Sequence, residues 1–277
     1  MEFYFAKINI LPSLFATELP KEDFFFLGLK SGQSTQVHER QFMLADIQKI
    51  EVNQKIFFYG RLNKYGITDI EQMNVAEQKT DKVHVEQAII GYSHFIIEIR
   101  ENILAYSTNK QISNAQFLKQ FEEIFNFGIQ SIETSVEINP IKDNYSFYEK
   151  LQQLSEIKEI SLAIIPTNPD ADDIIRDIDE KLKKQNVRQK TILYLSKPGG
   201  IQLDEEIKKN SVYTDKGYGR GRALGKDKNG RSIKIYSKRT DKQRKSTSIS
   251  IDDAGVYGLI EKLDKQIEQK KLGNEKD

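Results

Sequence analysis

Three aspartates near the middle of the chain are the residues best suited to metal chemistry. Asp170, Asp172 and Asp173 follow an apolar, strand-like segment. Paired carboxylates hold Mg²⁺ in nucleases, and Lys208, two residues after Glu206, would complete a loose match to such a site. That Glu-x-Lys pair should lie on a strand, but its surroundings predict a helix. The aspartates therefore fit a helix N-terminus better, where carboxylates cap the backbone and match the helix dipole.

Few residues in this sequence could act as a catalytic nucleophile or activate one. The chain has no cysteine, which excludes disulfides, thiolate metal sites and cysteine nucleophiles. Its three histidines are His38, His84 and His94. His94 and Ser107 lie one hairpin apart, but no orienting acid or nucleophile-elbow motif accompanies them. We therefore assign no catalytic residue, metal site or cofactor. A metal-dependent nuclease is the alternative to a non-catalytic protein.

Positive charge is concentrated in residues 183–245. This segment carries 19 Lys and Arg against 6 Asp and Glu, a net charge of +13. Because the whole chain has a net charge of only +1, the remainder sums to −12. A segregated basic segment makes a local positive field, whose usual targets are polyanions such as nucleic acid.

A β-hairpin pattern lies within the basic segment. Residues 218–225 and 231–237 are strand-like and flank Asn-Gly at 229–230, a typical turn dipeptide. Strand alternation places Tyr218, Arg220 and Arg222 on one face. The other face is small and apolar and would pack on the body of the protein, while glycines would let the backbone approach a ligand closely. The charged face would lie against a phosphate backbone.

We predict that this hairpin and the linker after it bind double-stranded DNA without sequence preference. The sequence lacks helix-turn-helix or zinc-finger spacing and an RNA-binding aromatic motif. A solvated basic loop, RNA binding, metabolite-phosphate binding and an interaction subunit for an acidic protein are the alternatives. The predicted contacts are Lys216, Tyr218, Arg220, Arg222, Lys226, Lys228, Arg231, Lys234, Lys238, Arg239, Arg244 and Lys245.

The first half of the chain predicts mostly strands. A capping box at Ser113 then begins a helix with Phe117, Phe121 and Phe125 at helical spacing. The apolar start of the chain lacks a basic region and is interpreted as a strand, and no apolar run is long enough to span a bilayer. The aromatic runs at residues 24–26 and 57–59 are typical of sheet core, with base stacking as the alternative. The predicted strands are residues 2–10, 24–27, 55–59, 82–90, 94–99 and 103–107.

The second half alternates strands and helices. Strand, helix and strand follow one another over residues 160–196, which predicts a βαβ or ferredoxin-like, partly parallel layer. We expect an α+β protein with two domains, a strand-rich domain at residues 1–135 and an α+β domain with the basic hairpin at residues 136–277. The other predicted elements are strands at residues 135–139 and 247–251 and helices around Phe147, around residues 204–209, and from Asp252 or Asp253.

The order of these elements resembles the RexA-type phage exclusion proteins and the B subunits of the Kiwa antiphage system. The resemblance rests on a first strand with residues 3–6, a two-strand unit and helix over residues 93–125, a strand at residues 136–140 and a strand-to-helix segment at residues 160–173. It implies a cytoplasmic, homodimeric protein that binds double-stranded DNA with little sequence preference. It also implies a membrane-embedded partner protein, which could recruit the chain to the membrane, in abortive defence against phage.

Overall fold

The chain forms two antiparallel sheets and six α-helices in a computed structural model that describes residues 2–12, 17, 19–74, 76, 78–141, 146–166, 173–237 and 255–272. Helices and sheets are mixed along the chain, and every described strand pair is antiparallel. The predicted α+β class is confirmed. The strand predicted at residues 247–251 and the predicted start of the last helix lie outside the described residues.

The first sheet has seven strands: β1 (Phe3–Pro12), β2 (Ser34–Val37), β3 (Arg40–Val52), β4 (Lys55–Asn74), β5 (Lys79–Glu98), β6 (Ile103–Ser107) and β7 (Thr134–Pro140). Their spatial order is β2-β3-β4-β5-β6-β1-β7. The second sheet has four: β8 (Glu156–Ile164), β9 (Lys190–Leu195), β10 (Gly219–Lys226) and β11 (Ser232–Tyr236), in the order β11-β10-β8-β9. The helices are α1 (Lys21–Leu29), α2 (Asn114–Gly128), α3 (Ser146–Gln152), α4 (Asp173–Lys184), α5 (Glu205–Tyr213) and α6 (Gly255–Leu272).

The strand predicted at residues 24–27 is wrong, because these residues belong to α1. Pro20 stands at the N-cap and two acidic residues lie in the first turn, which are local helix-start signals. Phe24 and Phe25 are buried, and Phe26 is exposed. The interpretation of this run as core is thus confirmed for two of its three aromatic rings, on a helix rather than a strand.

One face of the first sheet is covered by α1 and α2. The Ser113 side chain accepts a hydrogen bond from the Gln116 backbone N–H, so α2 starts where the capping box predicted. Phe117, Phe121 and Phe125 are fully buried and stack in a row against the sheet. The main core of the protein therefore lies between α2 and the sheet.

The other face of this sheet is partly covered by α6. Leu259, Ile260 and Leu263 pack in one cluster with Phe3 and Phe5 of β1. The sheet itself includes β7, which pairs with β1. Elements from both predicted domains thus contribute to this layer, while the division at residues 135 and 136 stays a prediction.

The second sheet carries α3 and α5 on one face. Phe147 of α3 and Ile207 of α5 pack against Ile160 and Leu162 of β8. Strand β8, helix α4 and strand β9 follow one another as predicted, but β8 and β9 are adjacent and antiparallel. The parallel arrangement expected for this unit is therefore wrong: α4 connects neighbouring strands of opposite direction rather than crossing over between parallel ones.

The outer edge of β7 is closed by side chains of α2. The Asn126 amide accepts a hydrogen bond from Val136 N–H at 2.7 Å and donates one to the Val136 carbonyl at 3.0 Å. A carboxylate oxygen of Glu122 accepts a hydrogen bond from Ile138 N–H at 2.8 Å. These bonds take the place of a neighbouring strand for three backbone groups of β7, which are thereby satisfied within the chain.

Replacing Asn126 with Ala should lower the free energy of unfolding by about 1–3 kcal/mol, because it strands two backbone groups of Val136, whose side chain is only 4% exposed. Urea unfolding followed by circular dichroism measures this. Glu123→Ala, on the exposed side of the same helix, is the control and should stay within about 0.5 kcal/mol of wild type. Equal stabilities of the two variants would contradict the edge-closing role.

Candidate nucleic-acid interface

The predicted basic hairpin is present as β10 and β11. Strand β10 lies between β8 and β11, so it is an inner strand, and β11 forms one edge of the sheet. In the connecting turn, the Asp227 carboxylate accepts hydrogen bonds from the N–H groups of Asn229 and Arg231 at 2.8 and 2.9 Å. Gly230 has φ +77°, a left-handed conformation that favours glycine. The turn chemistry inferred from the Asn-Gly dipeptide is confirmed.

The alternation predicted for β10 is also confirmed, but the glycines have another role. Arg220 and Arg222 are exposed, while Gly219, Gly221 and Ala223 are buried on the opposite face. A Cβ atom at Gly221 would lie 2.6 Å from the Phe147 ring, and one at Gly219 would lie 2.1 Å from the Ala163 carbonyl oxygen. The glycines therefore allow β10 to pack on α3 and β8, and their close approach is to the protein itself rather than to a ligand.

Tyr218 is not on the exposed face. Its side chain is only 9% exposed and packs on Tyr213, with a ring-centroid distance of 5.2 Å, and the Lys7 ammonium lies 5.0 Å above its ring. The neighbouring Lys216 is half-buried in the turn that precedes β10. The prediction that Tyr218 is displayed to a ligand is wrong, because it helps to hold the two sheets together.

The turn before β10 fastens the second sheet to the first. Gly217 has φ +90°, and its carbonyl accepts a buried hydrogen bond of 2.9 Å from the Asn9 amide of β1. A Cβ atom there would lie 3.0 Å from the Asn139 carbonyl oxygen of β7. Two residues earlier, the buried Asp215 carboxylate accepts a hydrogen bond from Phe147 N–H at the start of α3. The position of the basic hairpin is therefore set by this turn.

Three cations of the predicted surface are engaged with glutamates. Arg220 Nε lies 3.1 Å from Glu137 of β7, and Lys226 Nζ lies 2.5 Å from Glu156 of β8. Arg222 forms an ion pair with Glu159 of β8. The Lys226 ammonium also holds the pKa of Glu156 below its usual range. The middle of the hairpin is consequently close to neutral, which lowers its expected contribution to polyanion binding.

The unpaired positive charge lies at the tip and outer edge of the hairpin. Lys228, Arg231 and Lys234 are exposed, and none is within ion-pair distance of an acid in the described part of the chain. The linker that follows β11 carries five further cations over residues 238–245. Its predicted contacts Lys238, Arg239, Arg244 and Lys245 lie outside the described residues.

The structure describes only some of the nuclease-like residues. Asp170 and Asp172 lie outside the described residues, and Asp173 begins α4. Glu206 and Lys208 lie on helix α5, as their surroundings predicted, rather than on a strand. Within the described ranges, no group of three or more His, Asp or Glu side chains could hold a metal ion.

His94 belongs to an aromatic cluster that the sequence did not reveal. Its ring Nδ1 is hydrogen-bonded to the Tyr59 hydroxyl at 2.8 Å. Ser107 Oγ bonds only to the backbone of His94, accepting from its N–H at 2.9 Å and donating to its carbonyl at 3.5 Å. The Tyr92 ring lies edge-on to His94 and beneath the Arg61 guanidinium. Burial and the Arg61 charge lower the pKa of His94. The Ser/His pair is therefore absent as a catalytic arrangement, because the imidazole is directed at a tyrosine.

The fold and the hairpin define the class of this protein: a mixed α+β protein of two antiparallel sheets, with a basic hairpin at one edge. The chain belongs to the DUF4747 family, whose model, described as "Domain of unknown function (DUF4747)", matches residues 1–255. All the described strands fall within that range. No curated protein matches the chain. Among the described helices, none is long and apolar enough to cross a membrane.

Replacing Gly221 with Ala should lower the free energy of unfolding by about 1–3 kcal/mol, because the new methyl group would overlap the fully buried Phe147 ring. Chemical denaturation measures the change. Arg222→Ala, the adjacent residue on the exposed face of the same strand, is the control and should change stability by no more than about 1 kcal/mol. A Gly221→Ala variant as stable as wild type would contradict the packing role of the glycine.

Proposed function

We propose that the protein binds double-stranded DNA without sequence preference, through the tip and outer edge of the β10–β11 hairpin and the basic linker after it. The observation that carries the proposal is the exposure of Lys228, Arg231 and Lys234 without an acid partner among the described residues. They lie next to the five cations of residues 238–245 in the sequence. Together they give this part of the sequence a local excess of positive charge.

Phosphates are the groups that such a surface would recognise. Lysine and arginine side chains on a ribbon reach the backbone oxygens of a duplex, and these contacts fix position but carry no sequence information. Binding of this kind is driven by counterion release, so affinity falls steeply as salt rises. The exposed Tyr236 on β11 adds a ring at the same edge, although a single ring does not read base sequence.

The paired arginines would contribute less than their exposure implies. Arg220 and Arg222 have side chains that are 66% and 55% exposed, yet each faces a glutamate on a neighbouring strand. Exposed ion pairs are worth little in stability, so a phosphate could displace either glutamate, but both carboxylates would then lie beside the phosphate. We therefore place the strongest contacts at the tip and edge of the hairpin rather than at its centre.

The wider role that we propose is a DNA-binding component of a bacterial phage-defence or exclusion system. It rests on the resemblance in element order to RexA-type exclusion proteins and Kiwa B subunits. In that role the chain would act in the cytoplasm as a homodimer, beside a membrane-embedded partner protein that recruits it.

Replacing Lys228, Arg231 and Lys234 together with Ala should weaken binding to unrelated duplexes by at least tenfold at low salt, because three phosphate contacts are lost. The slope of log affinity against log salt should become shallower by about three. Fluorescence anisotropy with two duplexes of unrelated sequence, in a salt series, measures both quantities.

The matched control replaces three exposed lysines away from the hairpin with Ala: Lys82 of β5, Lys110, and Lys119 of α2. It makes the same change in net charge away from the hairpin and should bind DNA nearly as wild type does. Equal losses in the two triple variants would reject the hairpin as the binding element. Cleavage of the duplex on adding Mg²⁺, abolished by EDTA, would favour the nuclease instead.

Replacing Glu159 with Gln should strengthen DNA binding several-fold and steepen the salt dependence by about one, because Arg222 loses its carboxylate partner and becomes available to a phosphate. Glu149→Gln, an exposed position on α3, makes the same change in net charge and should have little effect. If both variants bind like wild type, Arg222 lies outside the DNA interface.

A further inference from the structure

The four sheet edges in the described part of the chain differ in how they are protected. The edge of β7 is closed by Asn126 and Glu122, and β2 is a short strand of four residues. The edge strand β11 carries Lys234 at its centre. Short strands, charges and covering groups are the usual devices that stop an edge from pairing with another chain.

Strand β9 is weakly protected, because its one charged residue, Lys190, stands at its first position rather than at its centre. Its stretch Thr191–Leu195 contains no charged residue, and its only described neighbour is β8. Leu193 and Leu195 are 55% and 68% exposed, among the most exposed large apolar side chains described. An uncharged stretch of β-branched and aliphatic residues at a sheet edge is a template for pairing with another strand.

The hydrogen-bond pattern shows which backbone groups are free to pair. Ser196 N–H donates to the Lys158 carbonyl of β8, and Tyr194 and Ile192 lie opposite Ile160 and Leu162. In an antiparallel ladder, hydrogen-bonded residue pairs alternate with pairs that are not hydrogen-bonded. Ile192, Tyr194 and Ser196 therefore form the backbone hydrogen bonds to β8. The backbone N–H and C=O groups of the intervening residues, Thr191, Leu193 and Leu195, therefore face away from the sheet.

We propose that β9 pairs antiparallel with β9 of a second copy of this chain, about a two-fold axis through Leu193. In that register, the outward-facing Leu193 pairs with its own copy, and Thr191 pairs with Leu195 of the second copy. This register would form about six backbone hydrogen bonds and bring no like charges together within the strand. A two-fold interface requires a surface that is complementary to itself. This requirement favours a second copy of the chain over a strand from another protein.

The pairing would join two four-stranded sheets into one of eight strands, with the basic hairpins at opposite ends. Seven strand spacings of about 4.8 Å would place the two β11 strands about 34 Å apart. That distance is close to one turn of DNA, roughly 34–36 Å. The two hairpins could thus meet equivalent positions on one duplex, a consequence that rests on the proposed function, whereas the pairing itself does not.

Sedimentation equilibrium of the full chain without DNA tests the pairing. Wild type should sediment at twice the chain mass of 32.0 kDa, and Leu193→Lys should sediment at the chain mass, because two ammonium groups would face each other at the axis. Ile89→Lys introduces the same charge at a similarly exposed aliphatic residue of β5 and should remain dimeric. A monomeric wild type, or a Leu193→Lys variant that stays dimeric, would overturn the proposal.

A cross-linking variant tests the β9–β9 register without relying on the Leu193→Lys variant, which could also change the stability of the fold. The chain has no cysteine, so Leu193→Cys would carry a single thiol beside its copy at the axis. Mild oxidation should convert most of it to a disulfide-linked dimer, while Ile89→Cys should give little. Equal cross-linking of both variants would overturn the register. Unchanged DNA binding in the hairpin variants, with the dimer intact, would reject the proposed function alone.

Discussion

The placement of the basic hairpin depends on the buried turn that joins the two sheets. Gly217 accepts a hydrogen bond from Asn9 of β1. Its positive φ and its close approach to the backbone of β7 favour glycine at this position. Asp215 in the same turn anchors the start of α3, and Tyr218 is enclosed by Tyr213 and Lys7. These polar contacts are buried, so each satisfies a group that would otherwise be costly to remove from water.

This anchoring explains how the hairpin can be charged and still part of the core. The inward face of β10 is made of glycine and alanine, which lets Phe147 of α3 lie directly on the strand. The outward face carries Arg220 and Arg222, whose charges are balanced by Glu137 and Glu159 from two different strands. The net charge of the segment therefore overstates the charge available to a ligand, and in the described part of the hairpin the cations without an acid partner lie at the tip and on β11.

The edges of the two sheets differ in how their backbone hydrogen-bonding groups are satisfied. At β7 side chains of α2 bond to the edge of the strand, while β9 has no second neighbouring strand among the described residues and exposes Leu193 and Leu195. Since unpaired backbone groups bond readily to another strand, an edge of this kind favours association. Self-association at one edge of the second sheet and polyanion binding at the other would use different parts of the same layer.

Much of the fold could be predicted from the sequence where the signal is local. The start of α2 at Ser113, the alternation along β10 and the Asn-Gly turn all follow from short-range backbone chemistry. Residues 24–27 were mispredicted, because their aromatic character favours a strand while the helix-start signals around Pro20 prevail. The antiparallel pairing of β8 with β9, the burial of Tyr218 and the ion pairs of the arginines were decided by the tertiary structure alone. Each joins residues from separate segments, as Arg220 and Glu137 show, and no local pattern encodes which distant strand becomes a neighbour.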